Sequence, residues 1–241
     1  MLKKLVIFSF LSVSSILHAG ILAGSTRIIF DEGLTQKSLM LVNTNDYPVF
    51  AHVWTDEGEG NPEFNETPFV VVPAAFKLKP EEIKGINIVY NQMELPKDRE
   101  SVFWLNLYEI PAVSKASLNN DYLNLAMNTQ MKVFYRPKAL NGMDLNKIQK
   151  LLKFNLEHDG KLLKLKAENS TPYYVSIINI DISNSVSSSL AKHDTENMIS
   201  PFSDKVYTLE NQKFIKETKN TLKYVLIDGD GQKMSFSQEI N

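Results

Sequence analysis

Residues 121–137 constrain the fold of this chain more than any other stretch. They read DYLNLAMNTQMKVFYRP, with apolar residues at most odd positions and amide or basic residues at most even ones. Successive side chains of a β-strand point to opposite faces, so the pattern predicts a strand with one apolar and one polar face. The run is longer than a usual strand of roughly five or six residues. The rest of the fold has to accommodate it.

The apolar face of this long strand permits two interpretations. In the first, it packs into the core of the chain's own β-sandwich, as most alternating strands do. In the second, it belongs to an edge strand that holds apolar side chains for an incoming partner strand. Exposed apolar edges promote aggregation, so a native protein that keeps one needs it for a purpose.

Short alternating segments, separated by turn-forming residues, make up most of the remaining chain. The predicted strands are residues 27–30, 37–42, 49–55, 85–90, 102–110, 162–167, 173–180, 206–209, 222–227 and 234–239. FVVVPAAFKLKPEE adds one more strand, in which Pro73 should lie at an edge or bulge. Many short strands at regular spacing are typical of β-sandwiches.

The spacing of apolar residues changes after Pro137. Leu145, Ile148, Leu151 and Leu152 follow helical spacing and predict one short amphipathic helix, after which strands resume. A chain of 241 residues has room for two domains of ordinary size or for one large all-β domain, and the change of pattern favours two. We therefore predict two sandwiches, formed by residues 20–139 and 140–241.

The first 19 residues, MLKKLVIFSFLSVSSILHA, have the pattern of a secretory signal peptide. Lys3 and Lys4 precede a short apolar run, and cleavage is predicted after Ala19. An uncleaved membrane anchor is the alternative, which the shortness of the run disfavours. The chain contains no cysteine, so its stability must come from burial instead of disulfides.

Motifs for catalysis, metal binding or cofactor binding are missing from the sequence. The four histidines, His18, His52, His158 and His193, have no metal-ligand spacing. DGDGQKMSFSQE approaches a calcium loop, but Lys233 stands where that loop requires glycine, so we predict a hairpin turn. The net charge of -2 gives no reason to expect a nucleic acid or a membrane surface as partner. We expect neither an enzyme nor a cofactor.

Two basic residues are candidates for a binding site. Arg27 lies in the first predicted strand, and Lys132 lies on the polar face of the long strand. If these strands are close together, both charges point into one cleft, where an anion such as a chain-terminal carboxylate would relieve their repulsion. Two ordinary surface bases are the alternative.

Four stretches of the chain resemble the periplasmic pilus (fimbrial) chaperones of Gram-negative bacteria, the PapD-like family. They are LPKDRESVFWLNLYEIP, MKVFYRP, ENSTPYYVSI and TRIIFD. The resemblance implies an all-β protein with two immunoglobulin-like domains set at an angle around a cleft. It also implies a periplasmic chaperone that binds pilus subunits lacking their last strand and delivers them to an outer-membrane usher.

The resemblance further assigns roles to charged residues. Arg27 in TRIIF and Lys132 in MKVFYRP match the pair that anchors the C-terminal carboxylate of the subunit. Glu100, Arg136 and Asp228 match an ion network between the two domains.

The apolar face of the long strand also matches a family feature. Leu123, Leu125 and Met127 correspond to the residues that the chaperone inserts into the open groove of the subunit, an exchange called donor-strand complementation. An exported adhesive or structural sandwich, in which the same residues face their own core, remains the competing hypothesis.

Overall fold

The computed structural model describes residues 20–62, 66–112, 125–140, 142, 144–159, 162–192, 196–213 and 219–240. Nine strands form the N-terminal sandwich: β1 (Ile21–Ala23), β2 (Arg27–Asp31), β3 (Gln36–Asn43), β4 (Val49–Asp56), β5 (Phe69–Val72), β6 (Ala75–Leu78), β7 (Ile83–Tyr90), β8 (Ser101–Pro111) and β9 (Met127–Arg136). One sheet has the order β1-β3-β7-β5, and the facing sheet has the order β2-β9-β8-β4-β6. The core between them includes Phe30, Leu41, Leu78, Ile88 and Leu105, all at most 1% exposed.

The segment around Pro73 differs from the prediction of a single strand. Its first half, β5, pairs with β7 in one sheet, and its second half, β6, pairs with β4 in the other. Pro73 lies where the chain passes between the sheets, because proline has no N–H to donate to a strand ladder. The single-strand prediction was therefore wrong.

In the described part of the C-terminal half, eight strands form the second sandwich: β10 (Leu152–Asp159), β11 (Leu162–Asn169), β12 (Val175–Ser183), β13 (Ser188–Leu190), β14 (Met198–Ile199), β15 (Ser203–Thr208), β16 (Asn220–Ile227) and β17 (Lys233–Ile240). One sheet has the order β10-β11-β15, and the other has the order β13-β12-β16-β17, with β14 also paired to β12. The turn between β16 and β17 is a hairpin turn, as predicted, in which Asp228 Oδ1 accepts hydrogen bonds from the backbone N–H groups of Asp230 and Gln232.

The predicted helix is present but shorter than expected. Helix α1 (Leu145–Leu151) begins after Asp144, whose side chain caps it, and buries Leu145 and Ile148. Leu151 is 53% exposed, and Leu152 belongs to β10, a strand that the sequence analysis missed. Leu152, Phe154 and Leu156 alternate into the core, but the start of this pattern overlaps the helical spacing before it.

The mostly β, two-sandwich architecture confirms the predicted fold class. In the part of the chain that the structure describes, no helix is both long and apolar enough to cross a lipid bilayer.

Candidate functional site

Strand β9 has two halves with different surroundings. Its partner β8 runs along the whole strand, from the Glu109–Met127 pair to the Ser101–Tyr135 pair. Strand β2 lies parallel to it on the other side and covers only the half from Lys132 to Arg136. Among the described residues, the half from Met127 to Met131 therefore has one free edge.

Burial of side chains divides the strand at nearly the same place, but begins one residue earlier, at Met131. Met131, Val133 and Tyr135 are at most 7% exposed and belong to the N-terminal core. Leu125, just before the strand, is 68% exposed, and Met127 is 44% exposed. Leu123 lies outside the described residues. The second half of the alternating face thus packs inward, whereas the first half presents Leu125 and Met127 to solvent.

Arg27 and Lys132 lie side by side at the point where the free edge ends. They are register partners in the parallel pair of β2 and β9, so their side chains share one face. Arg27 Nη1 donates to Ser176 Oγ at 3.4 Å, and Lys132 Nζ pairs with Glu196 Oε1 at 3.0 Å. Ser176 belongs to β12 of the second sandwich and Glu196 lies two residues before β14, so the two cations face the cleft between the domains.

The environment of Arg27 favours an anionic ligand. Burial lowers the pKa of Arg27, and the carboxylate of Asp228 partly offsets this effect. The Arg27 guanidinium lies 6.0 Å from the ring centre of Phe134, and its buried Nε has no hydrogen-bond partner among the described residues. An arginine stays charged in proteins, so an anion that joins it would recover part of the cost of its desolvation.

Glu100 and Arg136 form a buried ion pair beside this cleft. Arg136 Nε donates to Glu100 Oε1 at 2.8 Å, and the two side chains are 11% and 1% exposed, respectively. The other oxygen, Glu100 Oε2, accepts a hydrogen bond from the backbone N–H of Tyr174 at 2.8 Å. This pair therefore connects the two sandwiches. Asp228 lines the same small cavity as both residues, and its charge acts on Arg27.

Replacing Arg136 by methionine should destabilise the protein by about 3 kcal/mol or more, because the buried Glu100 carboxylate loses its cation. Burial already raises the pKa of Glu100 above its ordinary 4.5, and the charge of Arg136 opposes that rise. The variant should therefore raise this pKa further. An acid with a raised pKa binds its proton more tightly in the folded state, so its contribution to stability falls as the pH increases above 4.5.

Urea denaturation at several pH values checks this prediction. The loss in the free energy of unfolding caused by Arg136→Met should be largest near neutral pH and should shrink as the pH falls, because a Glu100 carboxyl with a raised pKa takes up its proton before an ordinary carboxylate does. Arg99→Met is the matched control, since Arg99 pairs with Asp98 at the surface and should cost less than about 1 kcal/mol. If the loss of unfolding free energy in Arg136→Met did not change with pH, the role assigned to Glu100 would be wrong.

Several contacts of the site were missed by the sequence analysis. Ser176 and Glu196 reach the two cations from 149 and 64 positions away along the chain, and no local pattern connects either residue with the cations. Asn106, which is fully buried, accepts hydrogen bonds through Oδ1 from Asn128 and Gln130 and supports the polar face of the free half. Its position opposite Gln130 follows only from the register of β8 and β9.

Comparison with known proteins identifies the family of both domains. Residues 20–141 match the family described as "Pili and flagellar-assembly chaperone, PapD N-terminal domain", and residues 147–238 match "Pili assembly chaperone PapD, C-terminal domain". The chaperone protein HifB of Haemophilus influenzae is 28% identical over 220 residues, which are 89% of this chain and 85% of HifB. The probable fimbrial chaperone YadV of Escherichia coli (strain K12) is 34% identical over 201 residues, which are 81% of this chain and 80% of YadV.

The fold agrees with these sequence matches. The crystal structure of the YadV chaperone superimposes with a TM-score of 0.77 at 28% identity, covering 92% of this chain and all of that one. The family consists of chaperones, not enzymes. Two matched domains, relatives that match most of the chain and a shared two-sandwich fold lead to one conclusion: the chain belongs to the PapD-like family of pilus assembly chaperones.

Proposed function

We propose that this protein binds pilus subunits in the periplasm by donating to them, as an additional strand, the half of β9 that has a free edge. The observation that carries the proposal is the exposure of Leu125 and Met127 beside a free strand edge, in a strand whose other half packs its apolar side chains into the core. Such an edge can add a strand to a partner through main-chain hydrogen bonds, and its apolar side chains can fill the pockets of that partner.

Burial of apolar side chains would supply most of the affinity. Each leucine or methionine that becomes buried contributes on the order of 1.5 to 3 kcal/mol. Leu125 and Met127 are available for this role, and we include Leu123 with them on the strength of the alternating sequence. A subunit that lacks a strand exposes an apolar groove and would aggregate during export, so covering this groove is the protective step.

Arg27 and Lys132 would determine the register of the bound subunit. They lie where β2 begins and the free edge of β9 ends, so a C-terminal carboxylate held there fixes how the rest of the partner strand lies along Met127 to Met131. In the free protein Lys132 pairs with Glu196. A subunit carboxylate would take over the place of Glu196 and would also approach the guanidinium of Arg27.

Export and release complete the proposal. Residues 1–19 would direct the chain to the periplasm and be removed there. Delivery to an outer-membrane usher needs no nucleotide, because an incoming subunit whose own strand fits the groove better can displace β9. Glu100, Arg136 and Asp228 would hold the two domains at the angle that keeps the cleft open.

The competing hypothesis, an exported adhesive or structural sandwich, requires Leu125 and Met127 to be covered by their own domain. Their exposed fractions of 68% and 44% favour the chaperone.

Co-expression with a pilus subunit in the periplasm tests the proposal. A subunit lacking its last strand should co-purify in a one-to-one complex, as measured by size-exclusion chromatography with light scattering. The matched control is the same subunit with its missing strand supplied by genetic fusion, which should not bind because its groove is already filled. Equal capture of both forms would refute strand donation.

A further inference from the structure

The carboxylate of Glu109 is buried at the end of the N-terminal sandwich, next to the free half of β9. The residue is 5% exposed and lies opposite Met127 in the pairing of β8 with β9. Its Oε2 accepts a hydrogen bond from the backbone N–H of Ile21 at 2.6 Å, and its Oε1 accepts one from Asn45 Nδ2 at 3.3 Å. Both donors are neutral, and the ion pairs among the described residues do not include Glu109. A buried carboxylate of this kind is costly without a cation.

Gly20 lies against this carboxylate and is held through its backbone. Its N–H donates to Asn45 Oδ1 at 3.1 Å, and its carbonyl accepts hydrogen bonds from the N–H and the hydroxyl of Thr44. Asn45 is itself fixed, because its Nδ2 donates to Asn43 Oδ1 at 2.9 Å. These hydrogen bonds to Asn45 and Thr44 therefore position the Gly20 nitrogen beside the carboxylate.

The predicted cleavage after Ala19 changes the charge at this nitrogen. Hydrolysis of the Ala19–Gly20 peptide bond by a signal-removing protease consumes one water and leaves a carboxylate on Ala19 and an α-ammonium on Gly20. We infer that Asn45 Oδ1 and the Glu109 carboxylate form a binding site for the α-ammonium of Gly20. Removal of the signal peptide then supplies the missing positive charge, and the mature chain gains a buried ion pair that its precursor lacks.

The packing around Gly20 agrees with this role. A Cβ at this position would come within 2.7 Å of Met127 Cε and 3.0 Å of Glu109 Oε2, so the residue lies directly against the carboxylate. The ion pair would hold β1, an edge strand of one sheet, against β8 of the other sheet. This contact lies beside Met127, where the proposed donor strand begins. The inference depends on the cleavage position and not on subunit binding.

A double-mutant cycle tests the site. Chains that begin at Gly20 or at Ala19 are each prepared with Glu109 or with Glu109→Gln, by removing a fusion partner at a defined bond. In the chain that begins at Gly20, Glu109→Gln should raise the unfolding equilibrium constant in urea at least about tenfold more than it does in the chain that begins at Ala19. An equal effect of Glu109→Gln in both chains would overturn the inference.

A second comparison decides the matter if the Glu109→Gln chains fail to fold. The wild-type chain that begins at Gly20 should have an unfolding constant about tenfold lower than the chain that begins at Ala19, because only the former brings its charge to Glu109. The other groups that contact Gly20, from Thr44, Asn45 and Met127, are uncharged. Equal stability of the two chains would refute the site, whereas a loss of subunit binding alone would leave it intact.

Discussion

Lys132→Glu should abolish capture of a pilus subunit while leaving the protein folded. The substitution removes one of two adjacent cations and places a carboxylate where the carboxylate of the subunit would bind. Hydrogen bonds to charged groups contribute about 1.5 to 3 kcal/mol, so loss of the contact alone lowers affinity roughly ten- to a hundredfold, and repulsion adds to this. The Lys132–Glu196 pair is partly exposed, so its loss should change stability by no more than about 1 kcal/mol.

Titration of the purified variant with a strand-deficient subunit, together with thermal unfolding, measures both effects. Lys153→Glu is the matched control, because Lys153 is exposed on β10 in the second domain and its reversal should leave binding unchanged. Glu196→Gln gives an opposite test: it removes the carboxylate that competes for Lys132 and should raise affinity a few fold. Wild-type affinity in both Lys132→Glu and Arg27→Ala would refute the anchor.

Leu125→Glu should also abolish subunit binding, and it should do so with almost no effect on the stability of the free protein. Leu125 is 68% exposed, so a carboxylate there remains in water as long as the protein is alone. In the complex the same group would enter an apolar groove. Binding would then lose about 2 kcal/mol of leucine burial and would also incur the cost of a buried charge, which together exceed a hundredfold in affinity.

The comparison with Met131→Glu makes this prediction specific. Met131 lies on the same face of the same strand but is 4% exposed, so its replacement should unfold the N-terminal domain. Leu162→Glu, at a 45% exposed position of β11, should affect neither stability nor binding. Urea denaturation and subunit titration of the three variants separate the possibilities. If Leu125→Glu unfolded the protein as Met131→Glu does, the competing adhesive sandwich would be the better explanation.

The strand-rich fold, the presence of a second sandwich and the family could all be predicted from the sequence. These features depend on local alternation and on short motifs such as MKVFYRP, which need no knowledge of distant contacts. The same local pattern failed at β10, because Leu152 ends a helical spacing and begins an alternating one.

Which part of the long strand has a free edge depends instead on long-range strand pairing, which local sequence patterns do not report. Alternation is the same on both sides of Met131, but β2 begins at Arg27 and so covers β9 only from Lys132 onward. Other contacts of the site are equally distant in sequence. Glu196 pairs with Lys132 across 64 positions of the chain, and Glu109 accepts a hydrogen bond from the backbone of Ile21 across 88 positions. The alternation of apolar and polar residues predicts which face of a strand each side chain occupies. Whether that side chain is buried depends on whether a distant segment of the chain lies over that face.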